Sequence, residues 1–130
     1  MSLVLVKKFF EHVGSGDFPA ALALFANDAR VVFHGPQAIA MAGEHQGREA
    51  VAKMFASIPA TVEIEYFAPH EFIDAGNTVV VLGREKSKVK ATGLTFDAQF
   101  AQVWRTNGKE ITELLDYFDT GAMLQAFVAK

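Results

Sequence analysis

A chain of 130 residues, 51% hydrophobic and 21% charged, has the size of one folded domain and ample apolar area for a core, which excludes a disordered or low-complexity protein. Its formal net charge of -3, with Lys and Arg scattered among Asp and Glu, lacks the basic footprint of a nucleic-acid or anionic-membrane binder. The absence of cysteine excludes disulfides, thiolate nucleophiles and cysteine-ligated metals, and fits a reducing, cytoplasmic location.

The opening Met1-Ser2-Leu3-Val4-Leu5-Val6 run is too short for a secretory core or a membrane span and merges into an amphipathic pattern. From Ser2 to Val13, the spacing of Leu3, Val6, Phe9, Phe10 and Val13 predicts a helix with one apolar face, ended by Gly14-Ser15-Gly16. Asp17 is placed to cap a short second helix through Leu22, Leu24 and Phe25, with Phe18-Pro19 at its start. The β-branched and aromatic run Arg30-Val31-Val32-Phe33-His34 predicts a first strand. A loop of about ten residues follows, longer than most connections, in which Glu44 and His45 read as solvated rather than as a pocket lid. Gly47-Arg48-Glu49 opens a third helix with Val51, Met54, Phe55 and Ile58 inward, and Pro59 stops it.

Strands fill the rest: Thr61 to Ile73, a turn at Ala75-Gly76-Asn77, Thr78 to Val89, Leu94 to Arg105, an Asn107-Gly108 hairpin, and Ile111 to Asp119. Helices gathered ahead of antiparallel strands predict an α+β domain over 1–130, with three N-terminal helices on one face of a strongly curved antiparallel or mixed sheet. Such a sheet closes into a cone with an internal pocket, and Gly83 and Gly93 sit where bending is easiest.

Several of these segments carry a family likeness. Gly16-Asp17, the Leu24-Phe25-Ala26-Asn27-Asp28-Ala29 turn, Gly47-Arg48-Glu49-Ala50-Val51, Val103-Trp104-Arg105 with Gly108-Lys109, and Asp116-Tyr117-Phe118-Asp119-Thr120 together resemble the SnoaL-like polyketide cyclases. That family lies within the nuclear-transport-factor-like, ketosteroid-isomerase-like superfamily. The resemblance implies a cone-shaped sheet, an interior pocket and a homodimer through the outer sheet face. It also aligns the isomerases' proton-moving acid and two oxyanion-hole residues with Phe33, Phe9 and Gln102, none of which moves a proton, so steroid isomerisation is not expected.

Strand alternation, set in the family register, turns Phe96, Ala98, Phe100, Gln102 and Trp104 inward on one strand and Leu114, Asp116 and Phe118 inward on the last. Asp116 is then a carboxylate among aromatics, where desolvation raises its pKa toward general acid-base range; the alternative is an ion pair with Arg84 or Arg105 at the pocket mouth. Gln102 is placed to donate to a ligand carbonyl. His34 is the available proton shuttle near the isomerase base position, although alternation with Phe33 turns it outward. The candidate catalytic set is therefore Asp116, His34 and Gln102, with Phe9, Phe33, Phe55, Phe100, Trp104, Leu114 and Phe118 as the ligand-binding wall.

No His-x-x-x-His helix and no close His-carboxylate cluster is present, so neither a metal nor a cofactor is expected. The expected ligand is a small hydrophobic molecule. The chain is expected either to transform it as an isomerase, cyclase or lyase acting on a carbonyl compound, or to carry it unchanged; a third possibility is a scaffold whose pocket is filled. The apolar outer positions Tyr66, Val80, Leu82, Val103 and Leu115 point to a homodimer in each case.

Overall fold

The computed structural model describes residues 2–128. Its elements in chain order are α1 (Ser2–Gly14), α2 (Phe18–Ala23), β1 (Phe25–His34), β2 (Gly43–Gln46), α3 (Arg48–Thr61), β3 (Val62–Ala75), β4 (Thr78–Val89), β5 (Thr95–Thr106), β6 (Ile111–Phe118) and α4 (Thr120–Phe127). The strands form one sheet in the order β2-β1-β6-β5-β4-β3, in which β1 runs parallel to β6 and every other neighbouring pair is antiparallel. This is the expected α+β class.

The differences have local causes. Asp17 does cap α2, accepting from the Ala20 N–H at 3.1 Å, but the helix stops at Ala23 and Phe25 already belongs to β1. Within the long loop, Gly43–Gln46 pairs antiparallel with Arg30 to Phe33 as an edge strand. Pro59 lies inside α3, whose last turn carries on to Thr61. A fourth helix at the other end of the chain adds to the three N-terminal ones: the Asp119 carboxylate caps it at Ala122, and Met123 and Ala126 are buried under it.

The sheet bends where β3 and β4 pair. The register shifts at Glu65 and again at His70, so β3 carries an extra residue twice against an unbroken partner. Gly83 faces the second shift, and a Cβ there would overlap the Ala68 carbonyl oxygen and the Phe100 ring. The absence of a side chain lets Phe100 lie across the strand, its ring 5.0 Å from those of both Phe67 and Phe118. On the concave side, the ring of Phe9 from α1 stands 4.8 Å from Trp104, 5.7 Å from Phe25 and 5.7 Å from Phe55, which joins both long helices to the sheet.

Candidate functional site

Helices α1 and α3 do not fill the concave face, and a cavity of about 690 Å³ remains between them and β3 to β6. That volume lies within the range of small-molecule sites, ~300–1,000 Å³. Phe9 and Phe10 from α1, Met54 and Phe55 from α3, and Phe33, Phe67, Trp104 and Phe118 from the sheet make the wall apolar.

Three polar side chains of β5 and β6 form a directed chain within it. The Trp104 indole N–H donates to Gln102 Oε1 at 3.1 Å, and Gln102 Nε2 donates to Asp116 Oδ1 at 3.0 Å. An indole can only donate, so it fixes the amide with its oxygen toward Trp104 and its nitrogen toward the carboxyl group. The register sets these partners opposite one another, with Gln102 facing Asp116 and Trp104 facing Leu114. Asp116 is 6% exposed, and among the described residues no fully buried side-chain N or O lacks a partner. Its second oxygen, Oδ2, has none and is therefore open to the cavity. Burial pushes this carboxyl up from the usual 3.8 to about 7; the Gln102 hydrogen bond opposes the shift and the nearby Glu85 charge adds to it.

Glu85 is the carboxylate that strand alternation on β5 and β6 does not reveal. It lies on β4 in phase with Val79, Val81, Ser87 and Val89, is 7% exposed, and lines the same cavity as Asp116. Ser87 Oγ donates to its Oε2 at 2.7 Å. Burial raises its pKa as well, against the lowering effect of the serine. Its Oε1 is the second carboxyl oxygen open to the chamber.

Of the residues expected from sequence, Asp116, Gln102, Phe9, Phe33, Phe55, Trp104, Leu114 and Phe118 come together around this cavity. Two do not. Phe100 packs behind the wall against Phe67 and Phe118, because the bare Gly83 draws its ring across β4. His34 is exposed on the far face, stacked at 4.3 Å on Tyr117, with Nδ1 3.2 Å from the Asp116 carbonyl oxygen. Strand alternation carries His34 outward, and it has no access to the chamber chemistry. The ion pair considered for Asp116 does not form either: Arg84 holds Asp97 with two 2.7 Å hydrogen bonds, and Arg105 holds Glu113 at 2.6 Å. His45, in β2, anchors the preceding loop through Nε2 at 3.1 Å from the Met41 carbonyl oxygen. Among the described residues no group of three or more potential metal ligands is gathered, and no helix is long and apolar enough to cross a membrane.

Residues 6–114 match the family model of the SnoaL-like domain. An NTF2-like protein from Burkholderia xenovorans LB400 is 31% identical, with a TM-score of 0.88 over 98% of this chain and 95% of that one. An NTF2-like protein of unknown function from Burkholderia pseudomallei K96243 is 27% identical, with a TM-score of 0.85 and 98% of each chain covered. A protein from Catenulispora acidiphila with a ketosteroid-isomerase-like fold, solved in complex with trimethylamine, is 27% identical, with a TM-score of 0.70 over 82% of this chain and 78% of that one. No curated protein matches the chain.

Proposed function

The chain belongs to the SnoaL-like family, and on that premise we propose that it binds a small apolar molecule in the chamber and moves a proton on it through Asp116, as an isomerase, cyclase or lyase. The observation that carries this reading is the Asp116 carboxyl itself: buried, aimed by Gln102 and Trp104, and open to the cavity through one oxygen. With burial pushing its pKa up to about 7, both protonated and ionised forms are available at neutral pH, so one group can take a proton from carbon and return it. Gln102 has its oxygen and one N–H committed, and serves as a positioning residue for that carboxyl. The small organic ligand of the Catenulispora protein supports ligand binding on this scaffold. The family match ends at Leu114, so Asp116 rests on geometry rather than on the match.

The test follows solvent deuterium into the acidic carbon of an enolisable bicyclic ketone such as 2-tetralone by NMR. The native protein accelerates the exchange, and Asp116→Asn slows it by roughly a hundredfold or more, the usual worth of a positioned acid-base group. Exchange undiminished in that variant removes Asp116 from the chemistry. Absence of exchange in the native protein, with the ketone still bound, leaves a carrier of apolar ligands.

The same proposal includes a homodimer. Val80, Leu82, Val103 and Leu115 are only half-buried on the outer sheet face, and Tyr66 and Tyr117 are 41% and 43% exposed, which supports cover by a second copy.

A further inference from the structure

The two inward carboxyl groups share one unusual circumstance. Asp116 and Glu85 face a single aromatic chamber, each with one unclaimed oxygen, and no Lys, Arg or His side chain lines it among the described residues. Every arginine is committed elsewhere: Arg30 to Glu44 and Glu113, Arg48 to Glu110 and the Phe25 carbonyl, Arg84 to Asp97, and Arg105 to Glu113. Lys86 stands 4.0 Å from Glu65 at the chamber rim, Lys7 lies over the Phe72 ring, and Lys90 donates to the Pro59 carbonyl oxygen. Lys8, Lys53, Lys88 and Lys109 are exposed.

Buried carboxylates without a counter-charge are costly in an apolar surrounding, and folded proteins pair them or leave them protonated. The chamber therefore has a place for one positive charge that the chain does not supply. Its walls favour the same kind of guest, since aromatic rings attract organic cations and the half-buried Phe10 and Phe67 are among those that line it. We propose that the ligand of this chamber is an apolar molecule bearing one protonated aliphatic amine, whose N–H is received by the open oxygens of Asp116 and Glu85 and whose carbon substituents rest on the aromatic wall. This rests on the chamber being a ligand site and adds the chemical class of what it accepts.

Entry of the cation also changes the proton inventory. Around the pair, β5 presents uncharged Gln102 and Trp104 and β4 the Ser87 hydroxyl; α1, α3 and β1 present only apolar side chains, Glu65 and Tyr66 of β3 stand at the rim beside Lys86 and Arg84, and His34 touches the Asp116 backbone from outside. An ammonium group beside Asp116 favours its ionised form, so amine binding at neutral pH releases a proton to the buffer.

The experiment compares benzyldimethylammonium with its neutral isostere isobutylbenzene, titrated into the 130-residue protein at about pH 7 and followed by fluorescence of Trp104, the sole tryptophan. The cation is expected to bind roughly tenfold tighter or more, with proton release seen calorimetrically in buffers of differing ionisation enthalpy. Glu85→Gln should narrow that gap, and Asp116→Asn with Glu85→Gln should close it. Equal or weaker binding of the cation by the native protein overturns the amine proposal and leaves an apolar ligand chamber standing. Binding of neither probe overturns both. A preference that survives the double substitution also overturns the proposal, because the charge would then be recognised elsewhere.

Discussion

At Asp116 the cost of taking a charge out of water is avoided by keeping the proton, and this makes its titration part of the protein's stability. The folded-state pKa of about 7 lies above the usual 3.8, so the folded chain holds a proton that the unfolded chain gives up. Stability from this group is present in full below about pH 4, falls progressively above it and is lost once pH has risen through about 7, a difference on the order of 4 kcal/mol. Asp116→Asn carries no such loss, since Asn can still accept from Gln102. Its melting temperature relative to the native chain should therefore rise between about pH 4 and about pH 7 and level off above about pH 8. A difference that is flat with pH would mean that Asp116 is ionised throughout. Asp116 was legible in the sequence because it alternates with Leu114 and Phe118 on an aromatic strand. Glu85 was not, because Arg84, Lys86 and Lys88 flank it and the segment looks polar on both faces; its signal is the period of two begun by Val79 and Val81.

Among the elements, β4 best illustrates how a missing side chain shapes the site. Gly83 has no room for a Cβ because Phe100 and the Ala68 carbonyl occupy that space, whereas Gly93 has open space and is constrained only by its φ of +73°. Gly83→Ala should lower stability by about 2 kcal/mol or more through overpacking, and Gly93→Ala by about 1 kcal/mol through its backbone. Urea unfolding checks the order, and an equal or reversed pair would show that Phe100 moves aside freely. The long strands were legible from alternation, and β4 spans the expected residues Thr78–Val89. Two elements escaped. Residues Gly43–Gln46 are polar and become a strand only by pairing with β1, and α4 has eight residues whose stability comes from packing Met123 and Ala126 rather than from propensity. The parallel pairing of β1 with β6 joins residues far apart in sequence, which no local pattern encodes.

For the whole molecule, the curved sheet presents two apolar faces with different duties. The concave one is shared between core and chamber, so Phe9 and Trp104 belong to both, and substitutions there change stability and chamber shape together. The convex one is where the proposed dimer forms. Leu82→Glu and Leu115→Glu together should shift the sedimentation coefficient from dimer to monomer while leaving the circular dichroism of the fold unchanged; a native protein that sediments as a monomer at high concentration rules the dimer out.

The two register shifts in β3 have a consequence at the edge of the sheet as well. β3 is the last strand of the sheet, and a 14-residue strand with a free side is a template on which further chains can add. Its extra residues at Glu65 and His70 interrupt that template, Pro69 offers no N–H to it, and the exposed Glu63, Glu65 and Glu71 set negative charge along it. The irregularity that bends this strand thus also works against fibrous self-association at the rim of the sheet.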